Sequence, residues 1–344
     1  MVDDTRVVDN QITIEDIAKA ADVGIATVSR TLNHPEIVRK DTRDRIMEVV
    51  HELGYIRSGA ARALASKQTF TVGAIIPTLN NAIFAACMEG FERVLSQANY
   101  TLLMTVTNFD RDHETMQLHK LLERGVDAVL LIGLDHSKRT FALLERSNVC
   151  VVSIFGSRKS GKIPCIGFDN RKASQTIVNH LVSLGHKRIG MIAGITNGND
   201  RARDRKNGVI NALKKNNIEY HPSLFVESQY SHEHGRQAFK TLYDQTKKPS
   251  AIICGNDVLA MGALFEADDY GIKIPDQLSI TGFDNLPITG HLKPALTTID
   301  VPSAAMGVLA AEAIIQKLNS GDKIKSRLLD ANLLIRDTTG PKKN

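Results

Sequence analysis

The spacing of apolar residues predicts a short amphipathic helix near the amino terminus. These residues recur at i, i+3, i+4 and i+7, as Ile14, Ile17, Ala18 and Ala21. Thr13 precedes the stripe and Asp16 follows Thr13 by three residues, which is the pattern of a helix-capping box. The sequence therefore predicts a packing helix, which ends at a turn over residues 22–24.

A second helix is predicted to begin near Ile25, because Val28 and Leu32 are spaced four residues apart for burial. The outward positions are small or polar, and they are Ile25, Ala26, Thr27, Ser29 and Arg30. A face of this size fits the major groove of DNA. A helical hairpin inside any globular domain has the same pattern, so this segment alone leaves both interpretations open.

A third amphipathic helix, DTRDRIMEVVHELGY, favours the DNA-binding interpretation. We expect it to bury four apolar residues in the same small core, namely Ile46, Val49, Val50 and Leu53. The segment ARALASKQ then predicts a short alanine-rich helix. Together these segments describe a small all-helical domain with a linker helix.

From Thr71 onward, apolar strand segments alternate with helical segments. The strand segments include TVGAIIP, TLLMTV, AVLLIG, VCVVSIF, RIGMIAG, SAIICGN and LSITGFD. Strands that are apolar on both faces and separated by helices indicate parallel sheets covered on both sides. One sheet of the usual size cannot hold them all, so we predict two α/β subdomains.

The chain resembles the LacI/GalR (lactose-repressor/galactose-repressor) family of bacterial transcription regulators over almost its whole length. The matching motifs are IxDIAxxAxVxxATVSRTLN, then TRxRI, ELGY and ARALAS. The resemblance implies a helix-turn-helix headpiece with a hinge helix, followed by an α/β core of two Rossmann-like, periplasmic-binding-protein-like lobes. It implies a homodimer that binds a pseudo-palindromic operator.

The resemblance also predicts the domain limits. It places the headpiece at residues 1–57, the hinge helix and linker at 58–70, and the core at 71–340. In the core, lobe 1 would comprise residues 71–167 and 299–329, and lobe 2 would comprise 168–298 and 330–340. The expected DNA-binding residues are Thr13, Ile25, Ala26, Thr27, Ser29, Arg30, Asn33, Arg39, Thr42, Tyr55, Arg62, Leu64 and Ala65. Leu64 aligns with a leucine that relatives insert into a minor-groove step, although a helix packing contact is the alternative.

Ligands of open parallel sheets sit at the carboxyl ends of strands, where loops and helix amino termini converge. The polar residues at these ends that the resemblance assigns to an effector are Asn81, Arg205, Asn256 and Asp284. Phe84 and Tyr230 match positions where the family stacks an aromatic ring on a sugar or base. The alternative for Asn256 and Asp284 is loop or helix capping. We expect a small-molecule effector between the lobes, either a sugar or sugar acid, or a nucleoside or purine.

Three departures from the family pattern change the prediction. Phe155, also expected in the effector site, stands near the position where many relatives place an effector-binding aspartate, so one hydroxyl acceptor is missing. Asp22 replaces a glycine of the turn, and aspartate tolerates a left-handed backbone. Arg39 stands where a serine commonly caps the third helix, and would add a cation near the DNA backbone.

Charge and cysteine content agree with this class of protein. The 344-residue chain carries a net charge of +5. Residues 23–70 hold eight basic against five acidic residues, a net +3, where phosphates would lie. Four cysteines without CxxC spacing lie in apolar runs and predict buried free thiols. No signal peptide or membrane span is apparent, so we expect a cytoplasmic protein without metal or cofactor.

Two other functions are weighed against a regulator. GSRKSGK at residues 156–162 imitates a phosphate loop, but Ile163 replaces the Mg²⁺-binding Ser/Thr and Pro164 does not fit the amide cradle. No set of nucleophile, base and orienting residue is apparent, so we expect no enzyme. A sugar-binding receptor without a role at DNA is the other alternative, and it would need export. The sequence thus predicts an effector-controlled dimeric repressor of carbohydrate or related catabolic genes.

Overall fold

The structure is a computed structural model that describes residues 12–56, 59, 63, 66, 68–157 and 161–343. The chain separates into two compact units, Met1–Thr69 and Phe70–Asn344. Each unit has a hydrophobic core of its own. We call the first unit the headpiece and the second the core.

Three helices build the described part of the headpiece: α1 (Ile14–Ala20), α2 (Ile25–Asn33) and α3 (Lys40–Glu52), with a 3₁₀ turn at Pro35–Ile37. Thr13 and Asp16 form the predicted capping box at α1. Ile17, Val28 and Ile46 are fully buried between the helices. The left-handed conformation expected of Asp22 is confirmed by its φ of 52°.

One headpiece prediction is wrong. Leu53 is 39% exposed, because α3 ends at Glu52 and Leu53 is its C-cap, where the chain turns away from the helical spacing. Thr31 of α2 is buried instead, and its hydroxyl donates to the carbonyl of Thr27 at 2.9 Å. That bond satisfies the hydroxyl within its own helix, so a polar residue enters the small core at little cost.

A parallel six-stranded sheet forms the first lobe of the core, in the order β11-β5-β4-β3-β1-β2. Its strands are β1 (Thr71–Ile76), β2 (Thr101–Val106), β3 (Ala128–Ile132), β4 (Cys150–Ile154), β5 (Cys165–Gly167) and β11 (Arg327–Leu328). Its helices are α4 (Ala82–Gln97), α5 (Arg111–Glu123), α6 (Lys138–Ser147) and α11 (Ser303–Ser320). Strands β1 and β3 are almost wholly buried, because helices cover both faces.

A second parallel sheet, in the order β7-β6-β8-β9, forms the other lobe. Its strands are β6 (Ile189–Gly194), β7 (Phe225–Ser228), β8 (Ala251–Cys254) and β9 (Ser279–Thr281). Its helices are α7 (Asn170–Ser183), α8 (Asp200–Lys215), α9 (His232–Tyr243) and α10 (Asp257–Asp269), with 3₁₀ turns at Pro222–Leu224 and Pro287–Gly290. The two parallel sheets confirm the predicted pair of α/β subdomains.

The chain passes between the lobes after β5, before α11 and after β11. Two of these passages pair with each other, because β10 (Thr298–Asp300) and β12 (Asn332–Leu334) form a short antiparallel sheet. Phe168, on the first passage, is fully buried. The periodicity of the sequence did not reveal β5, β10, β11 or β12, because two or three residues are too few to show an alternation. The predicted limits of the lobes stay a prediction.

Candidate functional site

A cleft of about 420 Å³ lies between the two lobes. This volume is in the lower part of the range of about 300–1,000 Å³ that small-molecule sites occupy. All seven residues predicted for an effector line it, namely Asn81, Phe84, Phe155, Arg205, Tyr230, Asn256 and Asp284. They come from six separate strand ends, and only the fold brings them together. Their contact with an effector stays a prediction.

Arg205 is held on several sides in the wall of this cleft. Its Nε donates to Asn170 Oδ1 at 2.9 Å, and its Nη1 donates to the carbonyl of Gly255 at 2.7 Å. The guanidinium lies 3.7 Å from the ring centroid of Phe283. Burial lowers the pKa of Arg205, an effect that the neighbouring Asp284 carboxylate opposes. A guanidinium remains charged in proteins, so the cleft holds a fixed cation.

Asp284 faces this arginine, with 3.6 Å between its Oδ1 and Arg205 Nη1. The residue is 5% exposed. Burial raises the pKa of Asp284 to about 7, and this effect outweighs the opposite one of Arg205. Its Oδ1 makes no hydrogen bond with the part of the chain that the structure describes. The cleft thus contains a buried carboxylate oxygen that a ligand hydroxyl could satisfy.

The backbone of Asp284 is also unusual. Its φ is 125°, a region that residues other than glycine rarely adopt. Its backbone N–H donates to the carbonyl of Ile299, on the passage between the lobes, at 3.0 Å. Strain of this kind persists where the surroundings enforce it, and it clusters at functional sites.

Asn81 and Asn256 each cap a helix and line the cleft. The side chain of Asn81 accepts from the N–H of Ile83 at 3.2 Å, at the start of α4. Asn256 accepts from the N–H of Leu259 at 2.9 Å, at the start of α10. Capping, the alternative role for Asn256, is therefore observed. Its Nδ2 is buried and has no hydrogen-bond partner among the residues described, so the amide keeps a donor for a ligand.

Four aromatic rings complete the cleft. Phe84 and Phe155 meet edge to face with centroids 5.5 Å apart, and Phe109 lies 5.7 Å from Tyr230. Burial raises the pKa of the Tyr230 phenol. A Cβ at position 194 would lie 2.0 Å from Tyr230 Oη, so a larger residue than Gly194 would displace the phenol ring. Three rings belong to lobe 1, whereas the Arg205–Asp284 ion pair belongs to lobe 2.

The fold adds cleft residues that the sequence did not single out, including Phe109, Ser231, His234 and Val258. Ser231 Oγ and His234 Nδ1 lie 2.7 Å apart in the first turn of α9. Phe109 follows Asn108, and both adopt a left-handed conformation, with φ of 62° and 53°. His234 lies within a helix and not directly after a strand, so the rule that ligands bind at the carboxyl ends of strands did not select it.

The outward face of α2 is the candidate nucleic-acid interface of the headpiece. Ile25, Ala26 and Arg30 are exposed, and Thr27 and Ser29 are half-buried. Ile25 is 48% exposed, although it is a large apolar residue at the start of a helix. Ile25 is not part of the hydrophobic cluster formed by the described headpiece residues, so its exposed side chain suits contact with an apolar group such as a thymine methyl.

The other predicted DNA-binding residues of the headpiece surround this face, and several also have a structural role. Thr13 caps α1, and its hydroxyl donates to Asp16 Oδ2 at 2.7 Å. The amide of Asn33 donates to the carbonyl of Ser29 at 2.8 Å. Arg39 precedes α3 without a side-chain cap, Thr42 is half-buried in its first turn, and Tyr55 packs against the headpiece core. The predictions for Arg62, Leu64 and Ala65 lie outside the described residues.

Two other kinds of site have chemical requirements of their own: a metal site needs several clustered ligands, and a membrane span needs a long apolar helix. No group of three or more His, Cys, Asp or Glu side chains in them could hold a metal ion. None of the helices described is long and apolar enough to cross a membrane. Cys87, Cys165 and Cys254 are buried and Cys150 is half-buried, all four as free thiols.

Comparisons with known proteins agree with this architecture. Residues 13–58 match the family described as bacterial regulatory proteins, lacI family, and residues 178–339 match a periplasmic binding protein-like domain. The ribose operon repressor of Haemophilus influenzae is 31% identical, over 95% of this chain and 98% of its own. The chain belongs to the lacI family of bacterial regulatory proteins.

Other members of the lacI family are similar over most of their length. Catabolite control protein A of Priestia megaterium is 30% identical, over 90% of this chain and 93% of its own. The crystal structure of the lac repressor dimer bound to operator and an anti-inducer superposes with a TM-score of 0.86 at 26% identity, and covers 96% of this chain and 99% of that one. The protein is accordingly a DNA-binding transcriptional regulator of the lacI family.

Proposed function

We propose that this regulator is a dimeric repressor of carbohydrate or related catabolic genes, and that a small, neutral, hydroxylated ring bound between the lobes controls its affinity for a pseudo-palindromic operator. A monosaccharide is the first candidate and a nucleoside the second. The observation that carries the proposal is a pair of buried polar atoms in the cleft, Asn256 Nδ2 and Asp284 Oδ1, neither of which has a hydrogen-bond partner among the described residues. One is a donor and the other an acceptor, and a hydroxyl group can satisfy both.

The charges of the cleft favour a neutral ligand over a sugar acid. Arg205 is matched by Asp284 at 3.6 Å, and Arg201 is matched by Asp200 at 3.1 Å. When Asp284 is ionised, above its pKa of about 7, no arginine among the described residues that line the cleft lacks a carboxylate partner, so an anionic ligand would bury an unpaired charge, which is costly. The aromatic side formed by Phe84 and Phe155 would cover the apolar face of a ring.

At the DNA, we assign base reading to α2. Arg30 would contact a guanine edge, and Ile25 with Ala26 would select the half-site through thymine methyl groups and fit. Arg39 and Thr42, at the uncapped amino end of α3, would contact phosphates, because helix amino termini and cations both attract anions. Leu64 of the hinge segment would enter the minor groove. In this proposal the protein acts in the cytoplasm, without enzymatic activity.

A thermal-shift screen of sugars, sugar acids, polyols and nucleosides tests the ligand class. A ligand at about 100 times its dissociation constant adds about 2.7 kcal/mol of stability, which a melting curve resolves. We expect neutral sugars or nucleosides among the hits, and the same compounds should change a gel shift with genomic fragments. Hits confined to sugar acids would overturn the neutral-ligand proposal. A hit that leaves every gel shift unchanged would favour a sugar receptor without a role at DNA.

A further inference from the structure

Side chains from the first turn of α8, in lobe 2, bind the chain that follows β3, in lobe 1. Arg201 Nη1 donates to the carbonyl of Ile132 at 3.0 Å, and Asp200 Oδ2 accepts from the N–H of Leu134 at 2.9 Å. The two side chains are only 10% and 14% exposed and pair with each other at 3.1 Å. Because both reach backbone atoms of the opposite lobe, they join the lobes directly.

Gly133 makes this approach possible. A Cβ at that position would lie 1.9 Å from Arg201 Nη1 and 2.5 Å from Asp200 Oδ1. Its φ of +83° is also one that residues with a Cβ rarely adopt. The backbone of lobe 1 is thus shaped, in space and in conformation, to receive the two charged side chains of lobe 2.

A second pair of contacts joins the same two segments through more exposed side chains. Arg203 Nη1 donates to Asp135 Oδ2 at 2.9 Å, and Arg111 of α5 pairs with the other oxygen of the same carboxylate. Asp135 is 21% exposed at its side chain, Arg203 44% and Arg111 39%. One carboxylate of lobe 1 therefore faces a cation from each lobe, in a setting open to water.

We infer that Asp200, Arg201, Arg203, Asp135 and Arg111 form an interlobe latch, which stabilises the closed cleft whatever ligand it binds. Separation of the lobes must break both backbone contacts and the Arg203–Asp135 ion pair together. Neither Arg203 nor Asp135 lines the cleft. The Arg203–Asp135 pair therefore acts on the balance between closed and open lobes through residues that are separate from the ligand contacts, whereas Arg201 also lines the cleft.

The latch has a buried arm, formed by Asp200 and Arg201, and an exposed arm, formed by Arg203, Asp135 and Arg111. The two arms differ in their sensitivity to salt. Exposed ion pairs are weak and are screened by salt, whereas buried charge–backbone bonds are not. We expect 1 M NaCl to loosen the arm formed by Arg203, Asp135 and Arg111. The buried arm, formed by Asp200 and Arg201, should persist.

Hydrogen–deuterium exchange of the full-length protein, without added ligand, tests the latch. The N–H of Leu134 reports on it directly, since that amide donates to Asp200. Gly133→Ala should speed exchange in peptides that span residue 134 by at least tenfold, which corresponds to about 1.4 kcal/mol. Arg203→Gln should speed the same peptides, although Arg203 does not touch Leu134, because the two arms open together.

The matched control is Lys206→Gln. Lys206 also lies on α8, but it pairs with Glu227 of the same lobe, at 2.9 Å. It should leave exchange at residue 134 unchanged. Unchanged exchange there in Arg203→Gln would overturn the inference that the arms act together. Equal acceleration in β1, β6 and the residue-134 peptides would mean general destabilisation, and it would also overturn the latch.

Discussion

Asp284→Asn should make the protein more stable at neutral pH, although the substitution removes a charged residue from a binding cleft. Burial raises the pKa of Asp284 from 3.8 to about 7. Between these two pH values the folded chain retains a proton that the unfolded chain has lost. The stability contributed by this proton is complete below about pH 3.8 and is lost as the pH rises to about 7. Asparagine has no such titration.

The pH dependence gives the magnitude without any assumption about packing. Stability linked to one such group falls by about 1.4 kcal/mol per pH unit within this window. Because this slope flattens as the pH approaches the folded pKa, the wild type should lose about 2 kcal/mol relative to Asp284→Asn from pH 5 to pH 7. Changes in packing or hydrogen bonding caused by the substitution are the same at both pH values, so they cancel in this difference.

Urea denaturation of both proteins at pH 5 and pH 7 measures the effect. Asp276→Asn is the matched control, because Lys343 lowers the pKa of that exposed carboxyl, which is therefore ionised in both the folded and the unfolded chain at pH 5 and pH 7, so the difference from wild type should not change with pH. A stability difference between wild type and Asp284→Asn that does not change with pH would refute the reasoning. It would mean that Arg205 keeps the carboxylate ionised, and that burial does not dominate.

Three further predictions concern DNA binding and its control. Arg30→Ala should cost about 1–3 kcal/mol on the preferred operator and flatten discrimination between sites, measured by competition gel shift, and an equal loss on random DNA would reduce Arg30 to a phosphate contact. Insertion of Leu64 into a minor-groove step would bend the operator, so Leu64→Ser should remove most of this bend, and unchanged bending in a circular-permutation gel shift would contradict the insertion. Arg205→Ala should weaken the effector tenfold to a hundredfold in calorimetric titration but leave operator affinity without effector near wild type; wild-type effector affinity would place the site elsewhere.

Local sequence patterns were sufficient for the helices of the headpiece and for the class of the core. The capping box at Thr13 and the apolar stripe of α1 depend on residues a few positions apart, and so does the alternation of buried strands with helices. The rule that ligands bind at strand ends also needs only the order of elements. Together with the family resemblance, it selected Arg205, Asn256 and Asp284, which the fold brings to one cleft.

Tertiary structure decided what depends on contacts between distant segments. The charge state of Asp284 follows from its burial beside Arg205, 79 positions away in the chain. The close approach that leaves no room for a Cβ at position 133 appears only when α8 of the other lobe is in place. The exposure of Leu53 and the pairing of β10 with β12 likewise depend on where the chain turns. Desolvation and packing act through space, so residue spacing along the chain determines the elements, and the chemistry of the cleft arises when the elements meet.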